Sequence, residues 1–96
     1  MRMSDLIETA RSMNQAYRPR AEKDPVQVID RDTANAFNKL LDESKKKFPE
    51  NPFVKKMRPV DSSRTQLAGL LSKVDLLQDC LKTEESRVLS SLAESE

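Results

Sequence analysis

The side chains that most often carry out catalysis are scarce in this sequence. Its 96 residues include no histidine, one cysteine and one glycine. Without histidine the chain lacks the commonest general base, the commonest zinc ligand and the usual activator of a serine or cysteine nucleophile. A single glycine does not build a loop that cradles phosphate. The composition therefore predicts no catalytic residue, no cofactor and no metal site.

Cys80 and a few pairs of carboxylates remain as candidates for chemistry. A lone cysteine beside an apolar helix face is most often a small hydrophobic side chain rather than a nucleophile. The pairs Asp75 with Asp79 and Glu84 with Glu85 are explained as charged residues on the solvated side of a helix. We therefore assign none of them a catalytic role and expect that the chain is not an enzyme.

Charge is distributed unevenly along the chain, although the net charge is only +1. Residues 45–64 include seven basic residues and two acidic ones. Such a cluster contacts phosphates in many nucleic-acid-binding proteins, but lysines also suit the solvated C-terminal ends of helices. A proline-rich connection interrupts the cluster and does not fit a helix–turn–helix. The candidate phosphate contacts are Lys45, Lys46, Lys47, Lys55, Lys56 and Arg58.

The strongest helical pattern lies in the C-terminal third, which contains Cys80 and the carboxylate pairs. Apolar residues recur there every seven positions, at Leu67, Val74, Leu81 and Val88. Residues with this spacing lie along one side of a helix, so that side is expected to be buried. Ser63 and Gln66 have the spacing of a capping box. The pattern predicts a long helix over 62–91, followed by a frayed tail at 92–96.

Two apolar residues of this helix, Leu76 and Cys80, lie beside the main apolar face. Either the helix is central and contacts two neighbours in its own bundle, or a partner chain covers the extra surface. For identical chains a two-fold dimer is the commonest arrangement, so we predict a homodimer that pairs along Leu67–Leu81. The candidate interface residues are Leu67, Leu70, Leu71, Val74, Leu76, Leu77, Cys80 and Leu81.

The first helix is predicted at residues 4–18. Its end is expected at Arg18, because Pro19 disfavours helical geometry in the residue before it. Residues 18–32 are then expected to form a linker with a solvated first part. The β-prone residues at 26–29 within it have no partner strand, and we expect them to pack against the helices in extended form.

A second helix is predicted at residues 33–48, with Asp30 or Asp32 as its N-terminal cap. It ends where the proline-rich connection 49–61 begins. Within that connection, Phe53, Val54 and Met57 share one face of a short element and are expected to close the end of the bundle.

Together these elements predict an all-α fold in a single helical domain over residues 1–96. The fold is a small three-helix bundle or a helical hairpin with a long C-terminal helix, and dimerisation completes it. The function that fits is a small module for protein–protein interaction, such as an adaptor, chaperone or regulatory subunit, without catalytic activity. The alternative is a regulator associated with nucleic acid that uses the basic segment 45–64.

The same sequence also favours a cytoplasmic location. Residues 1–5 lack the long apolar segment of a signal peptide, and no apolar run approaches the length of a membrane span. One cysteine excludes an internal disulfide framework. We therefore expect a cytoplasmic protein that binds another protein, with a second copy of itself as one candidate, and that does not bind a membrane.

Overall fold

The computed structural model describes residues 2–94, with side chains described for residues 2–88. The described part contains four helices: α1 (Met3–Lys23), α2 (Arg31–Lys47), α3 (Pro52–Lys56) and α4 (Leu67–Glu94). Within these residues the only β-type pairing is an isolated antiparallel bridge between Val28 and Gln66. The prediction of an all-α fold is confirmed, with three long helices and one short one.

Helix α1 continues past Pro19 to Lys23, so its predicted end at Arg18 is wrong. The last turn buries Ala21 in the core, and the amide of Asp24 closes it by donating to the carbonyl of Arg20 at 2.9 Å. These contacts outweigh the local preference against a helix before proline, which tertiary packing can override. The predicted linker therefore shortens to the residues between Lys23 and Arg31.

Helix α4 begins at Leu67 rather than near residue 62, and the predicted capping box does not form. Ser63 instead donates to Asp61 Oδ1 from its amide at 2.9 Å and from its hydroxyl at 2.8 Å. These two bonds hold a turn ahead of the helix, because a short polar side chain competes well with helical hydrogen bonds. At its other end α4 runs to Glu94. The predicted frayed tail therefore overlaps the helix, and its last two residues lie outside the described residues.

Backbone carbonyls from the α1–α2 connection take the place of a side-chain cap on α4. The amide of Leu67 donates to the carbonyl of Gln27 at 2.7 Å, and the amide of Ala68 donates to the carbonyl of Pro25 at 3.1 Å. The first amides of a helix have no partner within it, so these two bonds satisfy donors that would otherwise need water or a cap. Of the β-prone residues in this connection, Ile29 is buried, whereas Val26 and Val28 are exposed.

Helix α2 begins two residues earlier than predicted and ends at Lys47. Asp30 is its cap, because its carboxylate accepts the amide of Thr33 at 2.7 Å. This hydrogen bond lowers the pKa of Asp30 below its usual value of 3.8. The charge also lies at the positive end of the helix dipole, which favours the ionised form.

The contacts along the chain establish the directions of the helices. Pro25, just after α1, lies beside Ala68 at the start of α4, whereas Asn14 contacts Gln78 farther along α4. Helix α1 is therefore antiparallel to α4. Just before α2, Gln27 pairs with Leu67 at the start of α4. Just after α2, Asn51 contacts Glu84 farther along α4. Helix α2 therefore runs in the same direction as α4.

The core lies between α1, α2 and the inward face of α4. The molecule is elongated, with extents of 49 × 23 × 19 Å, and α4 alone spans about 42 Å at 1.5 Å per residue. The core also receives the segment after α3, where Asn38 of α2 bonds both the amide and the carbonyl of Val60. The largest fully buried apolar side chains are Phe37, Leu6, Leu40, Leu41, Leu67, Leu70, Leu77, Leu81, Val54 and Val74.

Candidate functional site

The candidate site is an apolar groove of about 250 Å³ between α3 and the middle of α4, here called the α3–α4 groove. It contains two large apolar side chains that remain accessible, Phe53 at 65% exposed and Leu76 at 48% exposed. The groove is lined by Asn51, Pro52, Phe53, Leu76, Asp79, Cys80, Thr83 and Arg87.

Asn51 positions the α3 side of the groove. Its Oδ1 accepts the amides of Phe53 at 3.0 Å and of Val54 at 3.1 Å, which caps α3. Its Nδ2 donates to Glu84 Oε1 at 2.7 Å, which ties α3 to α4. Val54 is completely buried, so the short helix is anchored by its neighbour while Phe53 is left outside. Of the three residues predicted to close the end of the bundle, Val54 and Met57 are buried, but the prediction is wrong for Phe53.

The α4 side of the groove is one face of a regular helix. Leu76, Cys80, Thr83 and Arg87 follow one another at intervals of three or four residues, which places them in one row. The Thr83 hydroxyl donates to the carbonyl of Asp79 at 2.9 Å, so it is held against its own helix. The small side chains in the middle of this row form the floor of the groove.

Cys80 contributes a small apolar side chain to the floor of the groove. It is 7% exposed, and burial raises the pKa of its thiol, with the nearby charges of Asp79 and Glu84 adding to the rise. The reactive form of cysteine is the thiolate, so these surroundings disfavour nucleophilic chemistry. The structure agrees with the interpretation of Cys80 as a small hydrophobic side chain.

A polar hollow of about 310 Å³ adjoins the groove. Glu84 lies in it at only 7% exposed, and Arg87 approaches its carboxylate at 3.6 Å while remaining 73% exposed itself. Together with the bond from Asn51, this arrangement satisfies a carboxylate that would otherwise be costly to bury. The hollow is lined by Lys47, Phe48, Pro49, Glu50, Asn51, Glu84 and Arg87.

A second polar cluster joins the middle of α1 to α4. Asn14 is buried and donates to both Asp75 and Gln78. Arg18 bonds Asn14 Oδ1 at 3.0 Å and Asp75 Oδ1 at 3.0 Å. Asp75 is therefore a partner of α1 and not simply part of a solvated face. This cluster fixes how α1 lies on α4, but it is separate from the groove lining.

Six of the eight predicted interface residues are buried inside this chain's own core. Their exposed fractions are 7% or less, for Leu67, Leu70, Val74, Leu77, Cys80 and Leu81. Leu71 is half-buried and Leu76 is exposed. The prediction underestimated how much of α4 the other helices cover, because it ended α1 at Arg18 and left its last turn out. In this fold Leu76 is the predicted residue that a partner reaches most easily.

The six candidate phosphate contacts lie at the ends of two helices. Three lysines end α2 and two end α3, with Arg58 after them; all are exposed except Lys45, which is half-buried. Lys46 forms an ion pair with Asp42 at 3.1 Å, and this hydrogen bond raises its pKa. Cations at these positions interact favourably with the carbonyl ends of their own helices, which gives them a structural role.

The described residues do not bring together three acidic or cysteine side chains that could hold a metal ion. In the same part of the chain, no helix has the length and apolar character needed to cross a membrane.

Sequence reasoning missed Asn51 and placed Glu84 on the solvated side of the helix, which is wrong because Glu84 is only 7% exposed. The bond between these two side chains holds the groove together. The Asn-Pro pair at residues 51 and 52 does mark a helix start. Its link to Glu84, 33 residues later, has no signal in local spacing. The exposure of Phe53 was equally hidden, because an apolar residue next to another apolar residue does not show which of the two is buried.

Comparison with known proteins does not assign the groove to a family. No family model, curated protein or solved structure matches this chain. The interpretation of the groove therefore rests on its geometry: an apolar floor, two accessible apolar side chains and a buried polar link that fixes its walls.

Proposed function

We propose that this chain is a helical module for protein–protein interaction, working as an adaptor, chaperone or regulatory subunit without catalysing a reaction. The observation that carries the proposal is the accessible pair Phe53 and Leu76 in the α3–α4 groove. Grouped apolar side chains of this kind mark binding surfaces more often than single exposed ones do. Covering them removes apolar area from water, at about 25 cal/mol per Å².

The groove also has the rigidity that a binding site needs. Asn51 holds α3 in place through its bonds to Val54 and Glu84, so docking does not have to order a loop first. Preorganised surfaces lose less conformational entropy on binding. Along α4 the groove extends from Leu76 to Arg87, about 16 Å at 1.5 Å per residue. That length suits a helix from a partner protein, laid in the groove by its apolar face.

The alternative function, a nucleic-acid-associated regulator, is supported by the exposed cations that end α2 and α3. Lys47, Lys55 and Lys56 are exposed. Their favourable interaction with helix ends explains them without a ligand, so we rank this function second. The cytoplasmic location is likewise a proposal; its support is a single cysteine, the buried Cys80, with no second cysteine to pair with.

Photo-crosslinking tests the proposed docking site. A photoreactive amino acid is placed at position 76 in one protein and, as a matched control, at position 26 in another. Leu76 and Val26 are both exposed apolar residues, but only Leu76 lines the groove. Irradiation in a lysate of cells that express the chain should give one saturable adduct from position 76 and little from position 26.

Competition makes this test specific. Excess wild-type chain should suppress the adduct, whereas excess Leu76→Lys chain should not, because a charge then lies in the apolar groove. Equal crosslinking from both positions, or equal competition by the two chains, would show that the groove is not the binding surface.

A further inference from the structure

We propose that the occupant of the α3–α4 groove is a second copy of this chain, with the two α4 helices antiparallel about a two-fold axis near Thr83. This inference rests on the proposed function, because it uses the same groove. It commits that function to one partner and to one relative orientation of the two chains.

The first argument is the placement of opposite charges along the groove. Asp79 and Arg87 both line it, and each is four residues, or about 6 Å along the helix axis, from Thr83. When two antiparallel helices cross at Thr83, Asp79 of each copy lies opposite Arg87 of the other. A two-fold axis forms both ion pairs at once, because each contact in such an interface occurs twice.

Both charged groups are available for ion pairs with a second copy. Among the described residues the carboxylate of Asp79 takes part in no ion pair, and its side chain is exposed. Arg87 is 73% exposed, and its distance of 3.6 Å from Glu84 makes that ion pair a loose one. Glu84 keeps its shorter bond to Asn51, so Arg87 can turn to a second partner without leaving a buried carboxylate unsatisfied.

The second argument is the shape of the same row of residues. Its centre consists of Cys80 and Thr83, whose side chains are small, and Leu76 and Phe53 lie beside them. Small side chains at a crossing point allow two helices to approach closely, and interaxial distances of about 8–10 Å depend on them. The exposed apolar side chains of each copy are then covered by the other copy.

The charges also select between orientations. In a parallel pair Asp79 would lie opposite Asp79, and Arg87 would lie opposite Arg87. Like charges brought together at an interface are unfavourable, so the groove favours the antiparallel pair. This dimer differs from the one predicted along Leu67–Leu81, whose central residue Leu77 is completely buried in the chain's own core.

The groove is short, so the dimer should be weak. Interfaces that bury less than about 1,200 Å² in total belong mostly to transient complexes. The monomer and the dimer should therefore exchange as concentration changes, with a dissociation constant in roughly the micromolar range or above. Sedimentation of the full chain over about 5–500 μM covers that range.

Three variants test the orientation. Asp79→Arg puts two arginines opposite each other, Arg87→Asp puts two aspartates opposite each other, and the double variant exchanges the two charges. Each single variant should weaken association at least about tenfold. The double variant should return to within about threefold of wild type, because the opposite charges face each other again and the net charge is unchanged.

The double variant also controls for damage to α4. It contains both substitutions, so any loss of helix stability in the single variants is present in it as well, and circular dichroism compares all four proteins. A double variant as weak as the single ones overturns the antiparallel register. Single variants that dimerise like wild type overturn the ion pairs.

A wild-type chain that stays monomeric at every concentration overturns the second copy as occupant. That result does not decide the proposed function, because the crosslinking at position 76 reports on any protein partner. An adduct of twice the chain mass of 11.0 kDa supports the second copy, whereas an adduct of another mass with a monomeric chain supports a different protein and rejects the dimer.

Discussion

Two faces of α4 contain apolar residues but have different surroundings. On the inward face, Leu67, Leu70 and Val74 are at most 1% exposed, because α1 and α2 enclose them. On the face toward the groove, Leu76 is 48% exposed, and the short α3 is the element beside it; nearer the C-terminal end of the helix, Val88 is 43% exposed. One helix therefore combines a core strip and the surface that we propose for binding. What separates them is the coverage that the rest of the chain provides.

This contrast predicts that substitutions on the inward face change stability and those in the groove change association. The tests below begin with the largest expected effect.

Leu77→Ala should give the largest loss of stability. Leu77 is completely buried, so the change should lower the free energy of unfolding by about 2–5 kcal/mol. Leu76→Ala is the matched control on the same helix and should have an effect of about 1 kcal/mol or less, because its side chain is half exposed. Urea denaturation measures both. Equal effects of the two substitutions would show that Leu77 does not lie on the enclosed face of α4 with Leu76 on the open face.

Asn51→Ala should destabilise the protein by about 1–3 kcal/mol, since it removes the cap of α3 and leaves the buried Glu84 without its close donor. It should also weaken any binding at the groove, because α3 is no longer held. Asn35→Ala is the control, since Asn35 is an exposed asparagine on α2. Thermal unfolding compares the melting temperatures of the two variants. A similarly small decrease in both would contradict the role of Asn51.

Acid should weaken the N-terminal cap of α2 and the turn that precedes α4. Hydrogen bonds from Thr33 lower the pKa of Asp30, and hydrogen bonds from Ser63 lower that of Asp61. A carboxylate with a lowered folded-state pKa stabilises the protein above its unfolded value of 3.8 and loses that contribution as pH falls through the folded value.

We therefore expect stability to decline below about pH 4. The decline should be shallower in Asp30→Asn, which no longer titrates at this position. Unfolding curves between pH 7 and pH 2 measure it, and identical pH profiles for the variant and the wild type would remove Asp30 from the explanation.

The smallest effect is expected for nucleic-acid binding by the basic segment 45–64. If its cations serve the helix ends, binding to duplex DNA should be negligible at physiological salt. Fluorescence anisotropy with a labelled duplex tests this at several salt concentrations. Tight binding that weakens steeply with salt, and that is lost when the lysines at 45–47, 55 and 56 are neutralised, would instead support the nucleic-acid alternative.

The sequence predicted those features that depend on local periodicity. The seven-residue spacing correctly placed Leu67, Val74 and Leu81 in the core. It also predicted burial of Val88, which is 43% exposed, because spacing identifies the inward direction and not where the covering helices end. The same limit explains why the groove was not found: Leu76 was noticed as an extra apolar residue, but its neighbour Phe53 comes from a distant part of the chain.

Local rules also failed where long-range contacts replaced them. Pro19 predicted the end of α1, yet packing of Ala21 carries the helix onward. Ser63 and Gln66 predicted the start of α4, yet Asp61 holds Ser63 and the helix starts later. Each error concerned a helix boundary, where the preference of a few residues is small compared with the contacts of the folded chain.

The backbone cap on α4 links the order of folding to the topology. A capping box can form within one turn of chain, but the bond from Leu67 to Gln27 joins residues forty positions apart. Closing a loop of that length loses more chain entropy than a local turn does, and contacts distant in sequence slow folding. We therefore expect the first turn of α4 to become ordered late, after α1 and the connection behind it are in place. A peptide of α4 alone would lack those carbonyls and should fray from its N-terminal end.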